Sequence, residues 1–325
     1  MTQDKITVPA LRARKATRSR GERIAMVTAY DATFARMMDQ AGVDAMLVGD
    51  SLGMVIQGQS STLPVTLDEI IYHSRAVMRG TRRAHVIGDM PFLSYQTSLD
   101  AALTAAGRLI KEGGVESVKL EGGREIAETI YRMVRMGIPV VAHVGLMPQR
   151  VHAMGGFKVQ GRNGDDAESI LEDAIAVSQA GAFMVVVEGV PADLGARITR
   201  SIDIPTIGIG AGVDCDGQVL VSYDLLGLND TLKPKFVKRY DDLFARGVEA
   251  TKAFVSEVRS AAFPAAEHSF GLQKSAGNAS AAGASSTAAS AGNTSASSSI
   301  ATSVASNDNE ASVPVTEAHA YGPTQ

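Results

Sequence analysis

The sequence predicts an α/β protein built as a single (β/α)8 barrel, and three observations point there. Short apolar runs bounded by glycine alternate with segments whose apolar residues recur at helical spacing, the pattern of parallel strands joined by helical crossovers. Several of those runs end on charged or polar residues: Asp50, Asp89, Glu121, His143 and Glu188. The chain has 325 residues, and once an Ala/Ser/Gly/Asn-rich C-terminal stretch is set aside the rest is near the length of one such barrel, about 250 residues. The expected division is a basic leader and capping helix over 1–23, a barrel over 24–270 and a disordered tail over 271–325.

In chain order, Ile24-Ala25-Met26-Val27-Thr28-Ala29 reads as the first strand. Phe34, Met37, Met38 and Ala41 then share a helical face, and Gly42 stops the helix. The second strand runs to Val48 and leads into Gly49-Asp50-Ser51, followed by a long glycine-bearing loop to residue 64. Thr66-Leu67-Asp68-Glu69 is a capping box that opens the next helix, with Ile70, Ser74, Val77 and Met78 inside. The third strand ends at Asp89, ahead of Met90-Pro91-Phe92, and Ser98 caps a helix through Leu103, Ala106, Leu109 and Ile110.

Gly113-Gly114 closes that helix, because glycine readily adopts the left-handed conformation of a helix end. Ser117 to Leu120 is then a fourth strand, and strand alternation points Lys119 and Glu121 the same way. Ile126, Ile130, Met133 and Val134 mark a further helix before the fifth strand, which ends at His143. The span 145–164 holds Pro148, Gly155, Gly156 and Gly161, and a loop of that length suits a lid or a binding loop. Asp166 is a candidate cap for the helix through Ile170, Leu171, Ala174 and Ile175. Phe183 to Val187 is a continuous apolar strand ending at Glu188. Residues 204–212 form a seventh strand with a glycine-rich turn, which suits either a phosphate or close backbone packing. A weaker eighth strand spans 218–222 and a closing helix 241–258.

Composition narrows the function classes. A net charge of −4 disfavours nucleic acid as the main partner. One cysteine, Cys215, excludes a disulfide framework and a multi-cysteine zinc site. No apolar run reaches the roughly 18 residues of a membrane span, and residues 1–10 carry no continuous signal-peptide core, so a cytoplasmic protein is expected. Arg12, Arg14, Lys15, Arg18, Arg20 and Arg23 read as the solvated face of a leading helix, since no aromatic residue interleaves with them to stack on bases. The tail from Gly271 lacks the apolar surface needed to offset ordering entropy.

The strand-end residues suggest chemistry. A lone acid after a strand is commonly a turn former or helix cap. Several at one barrel mouth are another matter, because each unpaired ion held out of water costs several kcal/mol. Lys119 supplies one compensating charge, and a hard divalent cation, Mg²⁺, supplies the remainder for an all-oxygen set formed by Asp50, Asp89 and Glu121. His143 reads equally as a core histidine or a site residue. Glu188, directly after an apolar strand at the same mouth, is placed to act as a general acid or base.

Motifs in one order carry a family resemblance: Lys5-Ile6-Thr7-Val8, Met26-Val27-Thr28-Ala29-Tyr30-Asp31, Val48-Gly49-Asp50-Ser51-Leu52-Gly53-Met54, Gly88-Asp89-Met90-Pro91-Phe92, Val118-Lys119-Leu120-Glu121-Gly122-Gly123, His143-Val144-Gly145-Leu146, Gly208-Ile209-Gly210-Ala211-Gly212 and Glu267-His268-Ser269-Phe270. Across residues 5–270 the chain resembles the ketopantoate hydroxymethyltransferases of pantothenate biosynthesis. It departs from them at Met147, where the family has threonine, and in the tail beyond the family's usual end. The resemblance implies a TIM barrel of the phosphoenolpyruvate/pyruvate-type superfamily, assembled as a homodecamer of two pentameric rings. It also implies Mg²⁺ and the transfer of a one-carbon unit from 5,10-methylenetetrahydrofolate to 3-methyl-2-oxobutanoate. On that basis Asp50 and Asp89 hold the metal with Glu121 in its shell. Ser51, Lys119 and His143 bind the keto acid together with Asp50 and Asp89, and Glu188 is the acid/base. Two alternatives stand beside it: a Mg²⁺-dependent carbon–carbon lyase on the same barrel, or a non-catalytic metabolite-binding barrel. The lyases carry an active-site cysteine motif whose context Cys215 lacks, and a non-catalytic relative would have lost mouth residues that are all present here.

Overall fold

A computed structural model describes residues 4–15, 22–230 and 234–271. Eight parallel strands close into a barrel in sequence order, β1 through β8 and back to β1. They are β1 (Ile24–Thr28), β2 (Ala45–Val48), β3 (His85–Asp89), β4 (Ser117–Glu121), β5 (Val140–Gly145), β6 (Met184–Glu188), β7 (Thr206–Ile209) and β8 (Gly217–Leu220). Helices cover them on the outside, so most strands are buried on both faces and read as near-continuous apolar runs.

Alternation along the strands separates two cores. Ile24, Met26, Ala45, Leu47, Ile87, Val141, Met184, Val186, Ile207, Ile209 and Val219 fill the lumen. The intervening residues, such as Val118, Leu120, Val140, Ala142 and Val144, pack outward against the helices. The lumen rows therefore end, at the carboxyl edge, on Asp89 in β3, Lys119 and Glu121 in β4, His143 in β5 and Glu188 in β6.

The helix signals held locally. Asp31 caps α2 (Ala32–Gln40), and both halves of the Thr66/Glu69 capping box are formed at the start of α4 (Leu67–Gly80), which follows the one-turn α3 (Leu52–Val55). Ser98 caps α5 (Leu99–Arg108), whose last turn widens into a π-helical segment at Leu109–Gly113 before Gly114 ends it at φ 76°. The crossover after β4 is α6 (Ala127–Arg135), that after β5 is α7 (Gly164–Gln179), and that after β6 is α8 (Ala192–Ser201). The cap of α7 is Asn163, not the expected Asp166, whose backbone N–H is the donor to the Asn163 side chain. Residues 210–216 return β7 to β8 without a helix, so the helical layer is incomplete there. After β8 come α9 (Ser222–Leu225) and α10 (Leu243–Arg259), the latter with no buried side chain. No helix among the described residues is long and apolar enough to cross a membrane.

The chain divides into two compact units, one holding the barrel through Val248 and one beginning at Glu249. In the described part of the second, Phe254 and Phe263 meet edge to face at 5.6 Å and His268 lies 5.1 Å from Phe263. The expected tail lies outside the described residues, apart from Gly271.

The leading segment departs from the expected solvated face. In α1 (Val8–Ala13) Leu11 is fully buried and, with Ile6, joins the lumen core at the amino edge of the barrel. Arg14 and Lys15 pair with the buried carboxylates of Asp44 and Asp216 at 2.9 and 2.8 Å, and Lys5 pairs with Glu116 at 2.8 Å. Arg18 and Arg20 lie outside the described residues.

Candidate active site

Register brings the mouth residues together. Asp89 is paired with Lys119 across β3 and β4, and Glu121 with His143 across β4 and β5, so each couple points into the lumen at one level. Asp50 stands just beyond β2, where its backbone N–H donates to Asp89 Oδ2 at 3.1 Å. Lys119 Nζ donates to both oxygens of Asp89 at 3.0 Å and lies 3.7 Å from Glu121 Oε1. His143 sits between two acids, with Nδ1 3.5 Å from Glu121 Oε1 and Nε2 3.3 Å from Glu188 Oε2. Neither ring nitrogen makes a well-aligned hydrogen bond, and Glu121 Oε1 likewise has none. Gly145 lets β5 and β6 close up beside this pair: at φ 95°, an added Cβ there would lie 2.3 Å from the Glu188 carbonyl oxygen.

These groups are buried: Asp50 4 %, Asp89 1 %, Lys119 4 %, Glu121 2 %, His143 1 % and Glu188 8 % exposed. Ser51 is half-buried, and its hydroxyl lies 2.8 Å from that of buried Tyr30. All the sequence-predicted residues thus stand at the carboxyl edge, Ser51 beside rather than within the ion cluster.

Electrostatics at the mouth are unbalanced, with four carboxylates facing one lysine and one histidine. Burial, followed by the charge of Asp89, lifts the Asp50 carboxyl well above its usual range. Burial also lifts Asp89, with Lys119 opposing and Glu121 adding to the shift. For Lys119, burial works against the ammonium, but Asp89, Glu121 and Asp50 outweigh it and hold the charge more firmly than usual. Burial of Glu121 is outweighed by His143 and Lys119, so its carboxyl is held low. Burial and Lys119 oppose protonation of His143, yet Glu121 and Glu188 prevail and push its pKa up to about 9.

Two raised carboxyls side by side and an unbonded carboxylate oxygen on Glu121 suit a hard cation. Among the described residues no group of three His, Cys, Asp or Glu side chains is arranged to enclose a metal by itself. An ion here would take few protein ligands and fill its shell from water or substrate, which is the habit of Mg²⁺.

Two uncharged residues escaped the sequence reading. Gln149, 4 % exposed, bonds Asp50 and Glu121, and Tyr95, 3 % exposed, bonds the backbone of Glu121. Gln149 lies inside the 145–164 segment expected to be a lid or binding loop, which was the available signal. Tyr95 follows the Asp89-Met90-Pro91-Phe92 turn and had none.

The model of the ketopantoate hydroxymethyltransferase family matches residues 5–266. The chain belongs to that family. It is 56 % identical over 253 residues to the 3-methyl-2-oxobutanoate hydroxymethyltransferase of Syntrophotalea carbinolica, covering 78 % of this chain and 95 % of that protein. It is 55 % identical over 250 residues to the enzyme of the same name from Geobacter sulfurreducens, covering 77 % and 94 %. Among solved structures it shares the barrel of 2,3-dimethylmalate lyase, described as a member of the PEP mutase/isocitrate lyase superfamily. The TM-score is 0.52 at 15 % identity, over 82 % of this chain and 87 % of that one.

Proposed function

We propose that this chain transfers a hydroxymethyl group from 5,10-methylenetetrahydrofolate to 3-methyl-2-oxobutanoate, giving 2-dehydropantoate for pantothenate biosynthesis. The observation that carries the reading is the buried Asp50–Asp89–Lys119–Glu121–His143–Glu188 constellation at the carboxyl edge of a barrel of this family.

Asp50 and Asp89 would hold Mg²⁺, with Glu121 in its shell. When bound, the ion supplies Lewis-acid stabilisation of negative charge on the keto oxygen. Lys119, fixed on Asp89, sets a permanent positive charge beside the substrate's carboxylate or keto oxygen and needs no reorganisation as charge develops. The Ser51 hydroxyl, oriented by Tyr30, and the imidazolium of His143 provide further hydrogen-bond donors for the keto acid. Glu188 takes the proton from C3, leaving its electron pair as the enolate. The enolate carbon forms the new carbon–carbon bond to the one-carbon unit, the two bonds from that unit to folate nitrogen break, and water supplies the hydroxyl. The proton held by Glu188 and the second proton of that water pass to the two folate nitrogens to give tetrahydrofolate. His143, 3.3 Å from Glu188, steadies the carboxylate for this task. The chain works as a cytoplasmic homodecamer of two pentameric rings, and its catalytic unit ends near residue 270.

The test is release of tetrahydrofolate from 5,10-methylenetetrahydrofolate, followed with and without 3-methyl-2-oxobutanoate and Mg²⁺. Release that needs both is expected. Release indifferent to the keto acid, or none at all, would overturn the assignment.

A further inference from the structure

Asp50 and Glu121 share one neighbour that carries no charge. Gln149 lies in the 3-10 turn Pro148–Arg150, in the segment that follows β5. Its Nε2 donates to Asp50 Oδ2 at 2.9 Å and to the Met90 carbonyl at 3.0 Å, so both amide protons are used. Its Oε1 accepts from Gln96 Nε2 at 3.2 Å and lies 2.9 Å from the Tyr95 hydroxyl. Its backbone N–H donates to Glu121 Oε2 at 3.0 Å. The Tyr95 hydroxyl accepts the N–H of Glu121 at 3.1 Å and has one proton to give, either to Gln149 Oε1 or to the Glu121 carbonyl.

This arrangement allows only one amide orientation. Turned over, Gln149 would set its carbonyl oxygen against the Asp50 carboxylate and the Met90 carbonyl, two acceptors that repel it. Among the described residues no lysine, arginine or histidine forms an ion pair with Asp50. The amide is therefore the side-chain anchor that sets the direction of that carboxylate, and the same residue's main chain fixes Glu121. A neutral donor does this without neutralising either acid, which leaves the negative charge of the mouth available to a cation.

We propose that Gln149 is a positioning residue that holds Asp50 and Glu121 in the geometry needed for metal and keto-acid binding, an inference that rests on the metal-binding role given to Asp50 above. Tyr95 acts through it by holding the amide oxygen. Partners of this outer kind typically change metal affinity or activity by about 10–100-fold.

The experiment titrates Mn²⁺, as a paramagnetic stand-in for Mg²⁺, into the full-length protein without substrate and reads free ion by electron paramagnetic resonance. Gln149→Met keeps the volume and removes the amide; Gln149→Asn keeps an amide one methylene short. Circular dichroism verifies folding. Both variants are expected to bind Mn²⁺ about 10–100-fold more weakly than wild type, with the keto-acid KM raised alongside. Tyr95→Phe combined with Gln149→Met is expected to lose less than the product of the two single losses, since one hydroxyl–amide contact is shared. Wild-type Mn²⁺ affinity in either folded variant overturns the proposal. So does failure of both variants to fold, which would make Gln149 a structural residue. A wild-type protein that binds Mn²⁺ but does not turn over would sink the proposed reaction alone and leave the Gln149 result readable.

Discussion

The two ends of the barrel use the same residue types in opposite ways. At the amino edge, Asp44, Glu116 and Asp216 each stand just before a strand, and each is met by a cation from the leading segment: Arg14, Lys5 and Lys15 at 2.8 to 2.9 Å. At the carboxyl edge, Asp50, Asp89, Glu121 and Glu188 stand at or just beyond strand ends and, among the described residues, share only Lys119 and His143. At the first end every acid meets at least one cation, Asp44 also facing Arg83 at 3.3 Å, and these ions clasp the N-terminal segment over the lumen. The other keeps an excess of carboxylates under burial, which is relieved by the raised carboxyls of Asp50 and Asp89 or by a bound cation. The lesson is that buried charge marks a site where its count fails to balance, and marks architecture where it does.

Substitutions at the two ends should separate in kind. The largest effect is expected at Glu188, since general acid–base catalysis contributes typically about 10²- to 10⁴-fold. Glu188→Gln should lose turnover on that scale with substrate binding and melting temperature little changed. Exchange of the C3 proton of 3-methyl-2-oxobutanoate with solvent, followed by NMR, should slow with it; exchange at the wild-type rate would remove Glu188 from the role of base. Next comes Asp89→Asn, which should weaken Mn²⁺ and keto-acid binding together by at least the about 10–100-fold associated with outer partners. Unaltered metal titration with full activity would show that the excess charge at the mouth serves no cation.

At the amino edge the expected losses are in stability alone. Lys15→Met removes the charged partner of Asp216 and should cost about 1.5–3 kcal/mol in urea unfolding, the range for a hydrogen bond to a charged group, while kcat stays at wild type. A drop in kcat without a drop in stability would break the distinction between the ends. Smaller still is a pH effect at His85, whose ring lies 2.9 Å from Ser117 Oγ and 3.8 Å from Glu116 with Lys5 beyond. Burial holds its pKa below the ordinary 6.5, Glu116 opposing and Lys5 assisting. The unfolded chain therefore takes up a proton that the folded one refuses, and stability falls as pH drops below about 6.5 until the lowered folded value is reached. His85→Gln should flatten that part of the stability profile; an unchanged slope would assign it to other groups. Last, truncation after Phe270 should leave turnover unchanged, and a clear loss would contradict the compositional reading of the tail.

Much of this molecule could be read from local pattern, because the signals involved are local. Helix starts at Thr66 and Ser98 and the stop at Gly114 depend on a few neighbouring backbone groups. The strands announced themselves as short apolar runs, and the acids that follow them could be placed at the carboxyl edge once the barrel was assumed. Asp166 was mistaken for the α7 cap because Asn163 and Asp166 both suit that role, and only the backbone path decides between them.

The sequence by itself determined the alternating strand–helix order, the lumen-facing rows and the set of charged groups at the mouth, since periodicity and residue type are properties of a single stretch. Tertiary structure alone decided the partners. That Asp89 meets Lys119 while Glu121 meets His143 follows from strand register. That Arg14 and Lys15 answer Asp44 and Asp216 requires closure of the barrel upon its own N-terminus, across sequence separations no local pattern encodes. The same holds for Gln149, an uncharged residue with no periodicity around it, whose meaning comes entirely from the two acids it reaches.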